Sequence, residues 1–213
     1  MEAFEVVSGH LEALIEDDER EVLAHVASEV AELLGVDVAT RAGELGFFDD
    51  VSGRGASERS SWAALERSLN LSQEGSHHET GRPADPAVER LLPQVSDDPE
   101  VAEEYRRLTQ TELRFEKADR LARFWAHLQP ENGPLLRLTA EHALEFMAAI
   151  TDIRLVLGQR LGIETAQDLE DLRFQIELGE VADQRASLLQ ISDVLAWWQE
   201  SLIFGLQLLD DDR

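Results

Sequence analysis

Two periodicities divide this chain. Near its start, short apolar runs, "FEVV" at 4–7 and "LEALI" at 11–15, flank Ser8-Gly9-His10. Such runs around a Ser-Gly pair predict a β-hairpin. From Asp17 onward the apolar residues recur at helical spacing. Val22, Val26, Val30 and Leu33 form one stripe, Asp17 or Asp18 is placed to cap it, and Gly35 ends it. A second helical block begins at "DPAVERLLP" (85–93), between prolines. One long helix is expected over 97–128, with Asp97 as cap and Val101, Tyr105, Leu108, Phe115, Ala118, Ala122 and Trp125 on one face. "LLRL" (135–138) reads as a strand that joins the hairpin, after the breaking sequence "ENGP". Three more helices follow: one after Thr139, one over 165–178 capped by Thr165, and one over 185–209.

Between these blocks the pattern disappears. Residues 36–85 are rich in Gly, Ser, Asp and Glu, which predicts an exposed, flexible insert. "WAALERSLNL" (62–71) is expected to be a short helix inside it, with Trp62, Leu65 and Leu69 on one side. The organisation that results is a hairpin and helix over 1–35, the insert over 36–85, and a helical core over 86–213. Residues 1–35 belong to the same single domain as the core. The fold class is mainly α, a helical bundle with a small N-terminal antiparallel β-sheet built from 4–7, 11–15 and 135–138.

Two helices raise questions that periodicity alone does not close. On the helix from Ala140 to Leu161, Ala143, Met147, Ile150, Leu157 and Leu161 make an apolar face with Arg154 near its centre, while Asp152 falls on the polar side with Glu141, Glu145 and Gln159. Residues two apart on a helix do not face each other, so Asp152 is not a partner for Arg154. An arginine on a packed face needs a carboxylate from elsewhere. Glu112 and Asp119 on the long helix are the candidates for a structural ion pair. The alternatives are a site for an anion or acidic segment, or an arginine that reaches out to water. The last helix is apolar on both sides. Leu188, Ile191, Leu195, Trp198, Leu202 and Leu206 line one; Val194, Trp197, Phe204 and Leu208, flanked by Asp193 and Glu200, line the other. It is expected to be the central core helix, or else to present Val194, Trp197, Phe204 and Leu208 as an interface for a partner or a second copy.

Charge narrows the partners. The 213 residues carry 44 acidic and 19 basic side chains, a formal net charge of −25. Free nucleic acid is an improbable ligand for such a chain, because its affinity comes from neutralised phosphates. Basic protein surfaces suit it better. The one concentration of basic residues is the long helix, with Arg106, Arg107, Arg114, Lys117, Arg120 and Arg123. These are expected to pair with acids three or four residues away. Cysteine is absent, which excludes disulfides and thiolate metal sites and fits a cytoplasmic protein. The first residues lack a basic start and a long apolar run, so neither a signal peptide nor a membrane span is expected.

The sequence offers little catalytic chemistry. HExxH, P-loop and G-x-S-x-G patterns are absent. "SGRGAS" (52–57) lacks the lysine of a P-loop, and Glu74-Gly-Ser-His77 lies in the insert, as does His77-His78-Glu79. His10, His25, His127 and His142 are scattered. The expectation is a protein without enzymatic activity, cofactor or metal.

Three blocks, "RLLPQVSDDPEVAEEYRRLTQTELRFEKADRL", "DIRLVLGQRLGI" and "VLAWWQESLIFGL", resemble the actinobacterial family catalogued as domain of unknown function 2017. The resemblance covers roughly 1–35 and 85–209, and Arg154, Trp198, Glu200 and Ser201 match its blocks. It implies no enzymatic activity. Genes of the family often lie beside the Clp adaptor ClpS and near a JAMM-type peptidase and cysteine-synthesis genes. Some members are described as oxidative-stress transcription regulators that act through a sigma factor and sense redox state with cysteines, a sensing mode a cysteine-free chain cannot share. The expected function is a regulatory protein-interaction module, a transcription co-regulator binding a basic partner such as a sigma factor. The alternative is an accessory factor of Clp-linked proteolysis.

Overall fold

A computed structural model describes residues 1–47, 85–93, 96, 98–105 and 109–211. The N-terminal runs form the expected hairpin. Strand β1 (Glu5–Val7) pairs antiparallel with β2 (His10–Leu14), with Val7 opposite His10. The two residues between them, Ser8 and Gly9, both have positive φ, 50° and 79°. That backbone matches the twist of the strands, and a Ser-Gly turn adopts it at low cost. Strand β3 (Leu135–Leu138) adds to the other side of β2, so the sheet order is β1-β2-β3. Alternation buries Leu11, Ala13, Leu136 and Leu138 and leaves Leu14 and Leu135 exposed.

Helix α1 (Asp17–Leu33) follows the hairpin directly. Its cap is one residue earlier than expected: Glu16 takes the cap position, and its N–H donates to Glu19. Gly35 then turns the chain with φ 75°. The stretch after it is not an exposed insert from the outset. Asp37 caps α2 (Val38–Glu44), accepting from Thr40 N–H at 2.7 Å. Val38 and Ala42 are buried, and Ala42 packs on Ala122 and Ala126. The signal was Val38, Ala42 and Leu45 at helical spacing. Its small central residue hid it, although alanine is what lets two helices approach closely. Of the rest of the insert, residues 48–84 lie outside the described residues, and so do the expected helix of Trp62, Leu65 and Leu69, the "SGRGAS" stretch, Glu74, and His77-His78-Glu79.

Helix α3 (Pro86–Leu91) is capped by Asp85. The expected long helix is described as two: α4 (Pro99–Tyr105) and α5 (Thr111–His127), either side of residues 106–108. Asp97 lies outside the described residues; Asp98 accepts from Glu100 N–H at 2.9 Å. The expected stripe holds only in its second half. Ala118, Leu121, Ala122 and Phe124 are buried, whereas Val101, Tyr105 and Phe115 are exposed. Only the second half of this segment is enclosed, by α1 and α2 on one side and by the next helix on the other.

That next helix, α6 (Ala140–Leu161), is capped by Thr139 and ended by Gly162 at φ 70°. After α7 (Ala166–Glu177), with a Thr165–Asp168 capping box, α8 (Asp183–Asp211) returns along α6. The core is aromatic where the pieces meet. Phe146 lies 4.3 Å from Phe124 and 5.4 Å from Trp198, ring to ring, and Trp198 lies 5.0 Å from Phe4.

Candidate functional site

Helix α6 packs against α3, α5 and α8 and also touches α1, and the positions of α5 and α8 decide where its central charges go. Its buried arc includes Phe146, Ala149, Ile150, Ile153, Val156 and Leu157. Asp152 and Arg154 stand on opposite shoulders of that arc. Arg154 leans toward α8 and is half-buried. Its Nη1 donates to Gln199 Oε1 at 2.8 Å, and Gln199 Nε2 donates in turn to Met147 O and Thr151 Oγ1. The ion pair expected with Glu112 or Asp119 does not form. Asp119 receives Arg41 Nε at 2.6 Å, and Glu112 is exposed. A half-buried guanidinium keeps part of its hydration, so a neutral amide is partner enough.

Asp152, expected on the polar side, is 2% exposed and forms the buried charge pair of this helix. Lys117, the single lysine, donates to its Oδ1, and Arg120 stands 3.9 Å from Oδ2. Burial pushes the Asp152 carboxyl above its ordinary value, while the Lys117 hydrogen bond pulls it down without fully offsetting that. A wheel drawn for one packed face could not place Asp152, because α5 covers a second one.

The remaining basic residues follow the same inward logic. Of those on α5, only Arg120 pairs locally as expected, with Glu116; Arg123 reaches Glu145 on α6, and Arg106 and Arg107 lie outside the described residues. Three arginines cap other helices at their carbonyl ends. Arg20, 2% exposed, donates to Gln129 O and Gly133 O beyond α5; Arg114 donates to Leu34 O, and Arg185 to Leu161 O. A cation there meets the carbonyls of a helix end and the negative end of the helix dipole. Arg160 holds Asp85 with both its terminal nitrogens, at 2.8 and 2.5 Å. Burial disfavours the Asp85 carboxylate, but Arg160 and the Ala87 N–H hold it below its ordinary value. Every described arginine, and Lys117, therefore has a partner inside the protein.

The outer face of α8 is not covered as a central helix would be. Trp197 is 43% exposed and Phe204 61%, with Leu208 also open to solvent. Val194 and Trp197 line a groove of about 670 Å³ between α7 and α8, with Ile176, Ala186 and Leu189 as further apolar walls and Asp183 and Asp193 at its rim. Arg173 on α7 spans to Asp193 on α8 at 2.8 Å, both about half exposed. Phe204 and Leu208 continue the exposed line along α8 beyond the groove. The inner face, one residue away, does different work. Trp198 is fully buried and its indole N–H donates to Glu2 O at 3.1 Å, while Phe4 N–H donates to Ser201 Oγ at 3.2 Å. These bonds tie the first strand to the last helix.

Two of the scattered histidines meet. His127 and His142 lie 5.6 Å apart, and His127 also meets Phe47 and Phe146 edge-on. Burial, with His142 nearby, lowers His127 from 6.5 to about 4. Nothing in the sequence spacing marked this pair, which the α5–α6 packing creates. Among the described residues, no three His, Asp or Glu side chains converge as a metal site requires, and no helix is long and apolar enough to cross a membrane.

A family model described as Domain of unknown function (DUF2017) matches residues 1–204. The chain belongs to this family. Comparisons with curated proteins and with solved structures returned no match. In this DUF2017 protein the "DIRLVLGQRLG" block supplies both shoulders of α6, Asp152 and Arg154, together with Arg160 and the terminating Gly162. The "WWQES" block supplies the exposed Trp197, the buried Trp198, the bridging Gln199 and Ser201; Glu200 is exposed.

Proposed function

We propose that this DUF2017 protein is a non-catalytic regulatory module that binds a basic protein partner. The observation that carries this reading is the internal commitment of the described basic side chains. With each of them held by a partner in the fold, a chain of net charge −25 presents a predominantly acidic surface. Such a surface steers basic partners toward it and repels nucleic acid. The exposed apolar line of Trp197, Phe204 and Leu208 adds the desolvated contact that charge alone does not supply. Some members of the family are described as acting through a sigma factor, which makes a sigma factor the first partner to test.

The test is affinity capture from lysate at physiological salt, read by mass spectrometry, with wild type against Trp197→Asp. A recovered sigma factor that the folded variant loses supports the reading. Recovery of no transcription component removes the sigma-factor version. Recovery of ClpS or a Clp ATPase replaces it with an accessory role in proteolysis.

A further inference from the structure

Resting on that reading, we propose that the groove between α7 and α8 is a docking site for a basic amphipathic helix of the partner. Its lining is α8 over residues 183–197, with Ile176 of α7 closing the other side. Helical walls keep their backbone groups bonded within themselves, so an extended segment finds no open sheet edge to join here. A guest helix can lay apolar side chains against the α8 ridge beside Ile176. The floor suits it: Ile176, Ala186, Leu189 and Val194 are apolar, and Trp197 stands beside them as a large, partly exposed anchor.

Charge selects which helix. Between residues 166 and 211 the chain has ten acidic residues and two arginines. Of those two, Arg185 is engaged at Leu161 O and Arg173 by Asp193. Asp183 and Asp193 sit at the groove itself. A second copy of this chain would bring the same acidic rim against itself, so the like charges of a two-fold contact oppose a homodimer here. A helix with leucine-like residues on one face and arginine or lysine on its flanks meets both requirements. The Arg173–Asp193 bridge is a half-exposed ion pair of small worth, and a guest arginine can replace Arg173 on Asp193.

The experiment uses the full chain and a fluorescein-labelled synthetic peptide of leucine, alanine and arginine, its leucines spaced for one helical face. An isomer of equal composition with scattered leucines is the control. Fluorescence anisotropy is expected to show the amphipathic peptide binding at least about tenfold more tightly than the isomer, with affinity falling as salt rises. Trp197→Ala and the addition of a positive charge by Gln190→Arg each weaken binding about tenfold at an unchanged urea midpoint, while Leu144→Ala, outside the groove, leaves it unchanged. Equal binding of the two peptides, or indifference to both groove variants, overturns the docking site. A dimer in sedimentation that Trp197→Ala dissolves overturns it in favour of a second copy. Lysate capture that succeeds but ignores Trp197→Ala leaves the regulatory reading standing without this groove. Peptide binding with no captured transcription component leaves the groove and removes the sigma factor.

Discussion

Trp197 and Trp198 are neighbours in sequence and opposites in environment. Trp198 is sealed among Phe4 and Phe146 with its N–H on the Glu2 carbonyl, whereas Trp197 stands 43% exposed over an open groove. The contrast extends along the molecule. The inner region, where α6 meets α5 and α8, pairs polar groups across its elements: Asp152 with Lys117, Arg154 with Gln199, Ser201 with Phe4. The outer region between α7 and α8 has one half-exposed ion pair and a line of open apolar side chains. A helix needs one buried face to hold its place in a fold, so the second apolar face of α8 is available for something else.

That contrast breaks most sharply at its two tryptophans. Trp198→Ala is expected to cost about 3–5 kcal/mol, the range for a large buried aromatic, and to free the N-terminal strand. Urea unfolding gives the energy, and hydrogen exchange at β1 gives the location. The inner charges come next. Asp152→Ala leaves Lys117 without its carboxylate and is expected to cost about 3–5 kcal/mol, whereas Lys117→Met with Asp152→Leu is expected to regain most of that. If the double variant unfolds as easily as the single one, the loss does not come from leaving Lys117 without its carboxylate.

A smaller effect sits where α8 crosses the hairpin. Gly205 is buried, and a β-carbon there would overlap the Cδ2 of fully buried Leu11. Glycine inside a helix ordinarily gives way to alanine with a gain of up to about 1 kcal/mol. Here Gly205→Ala is expected to lose about 1–3 kcal/mol through overpacking, and an increase in thermal midpoint would show that the close approach is not required.

The His127 site sharpens the comparison through pH. Its native value of about 4 lies below the ordinary 6.5, so between these limits the unfolded ring binds a proton that the native ring refuses. The stability contributed by the neutral ring is complete above about 6.5 and is lost as pH falls toward about 4. With solvent screening the loss reaches at most about 2 kcal/mol. Urea midpoints of wild type and His127→Gln should converge across that window as the pH drops. The smallest effect belongs to the outer face: Trp197→Ala is expected to change stability by less than about 1 kcal/mol, and a larger loss would place Trp197 in the core after all.

Legibility in the sequence divided along the same line. The hairpin was readable because Ser-Gly punctuation and alternating residues act locally, and β3 because "ENGP" isolates it. The helix starts at Thr139 and Thr165 were readable for the same reason: a cap is satisfied within one turn of chain. Helix α2 was missed because its contact residue, Ala42, is small and its partners, Ala122 and Ala126, are about 80 residues away. Of the α8 residues expected as a candidate interface, Trp197, Phe204 and Leu208 are exposed and Val194 is half-buried, and whether they faced a core or solvent was open in the sequence.

The sequence by itself determined most of the elements, the acidic balance, the absence of thiol chemistry and the two apolar faces of α8. These depend on residue type and on spacing within a turn or two. The tertiary structure alone decided which charge met which. Arg154 found Gln199 and Asp152 found Lys117 because α6 is flanked on two sides, and a helical wheel holds no record of how many neighbours its helix will have. It also decided that Trp198 is buried and Trp197 is not: both satisfy the same local pattern, and only the position of α6 and the hairpin against α8 separates them.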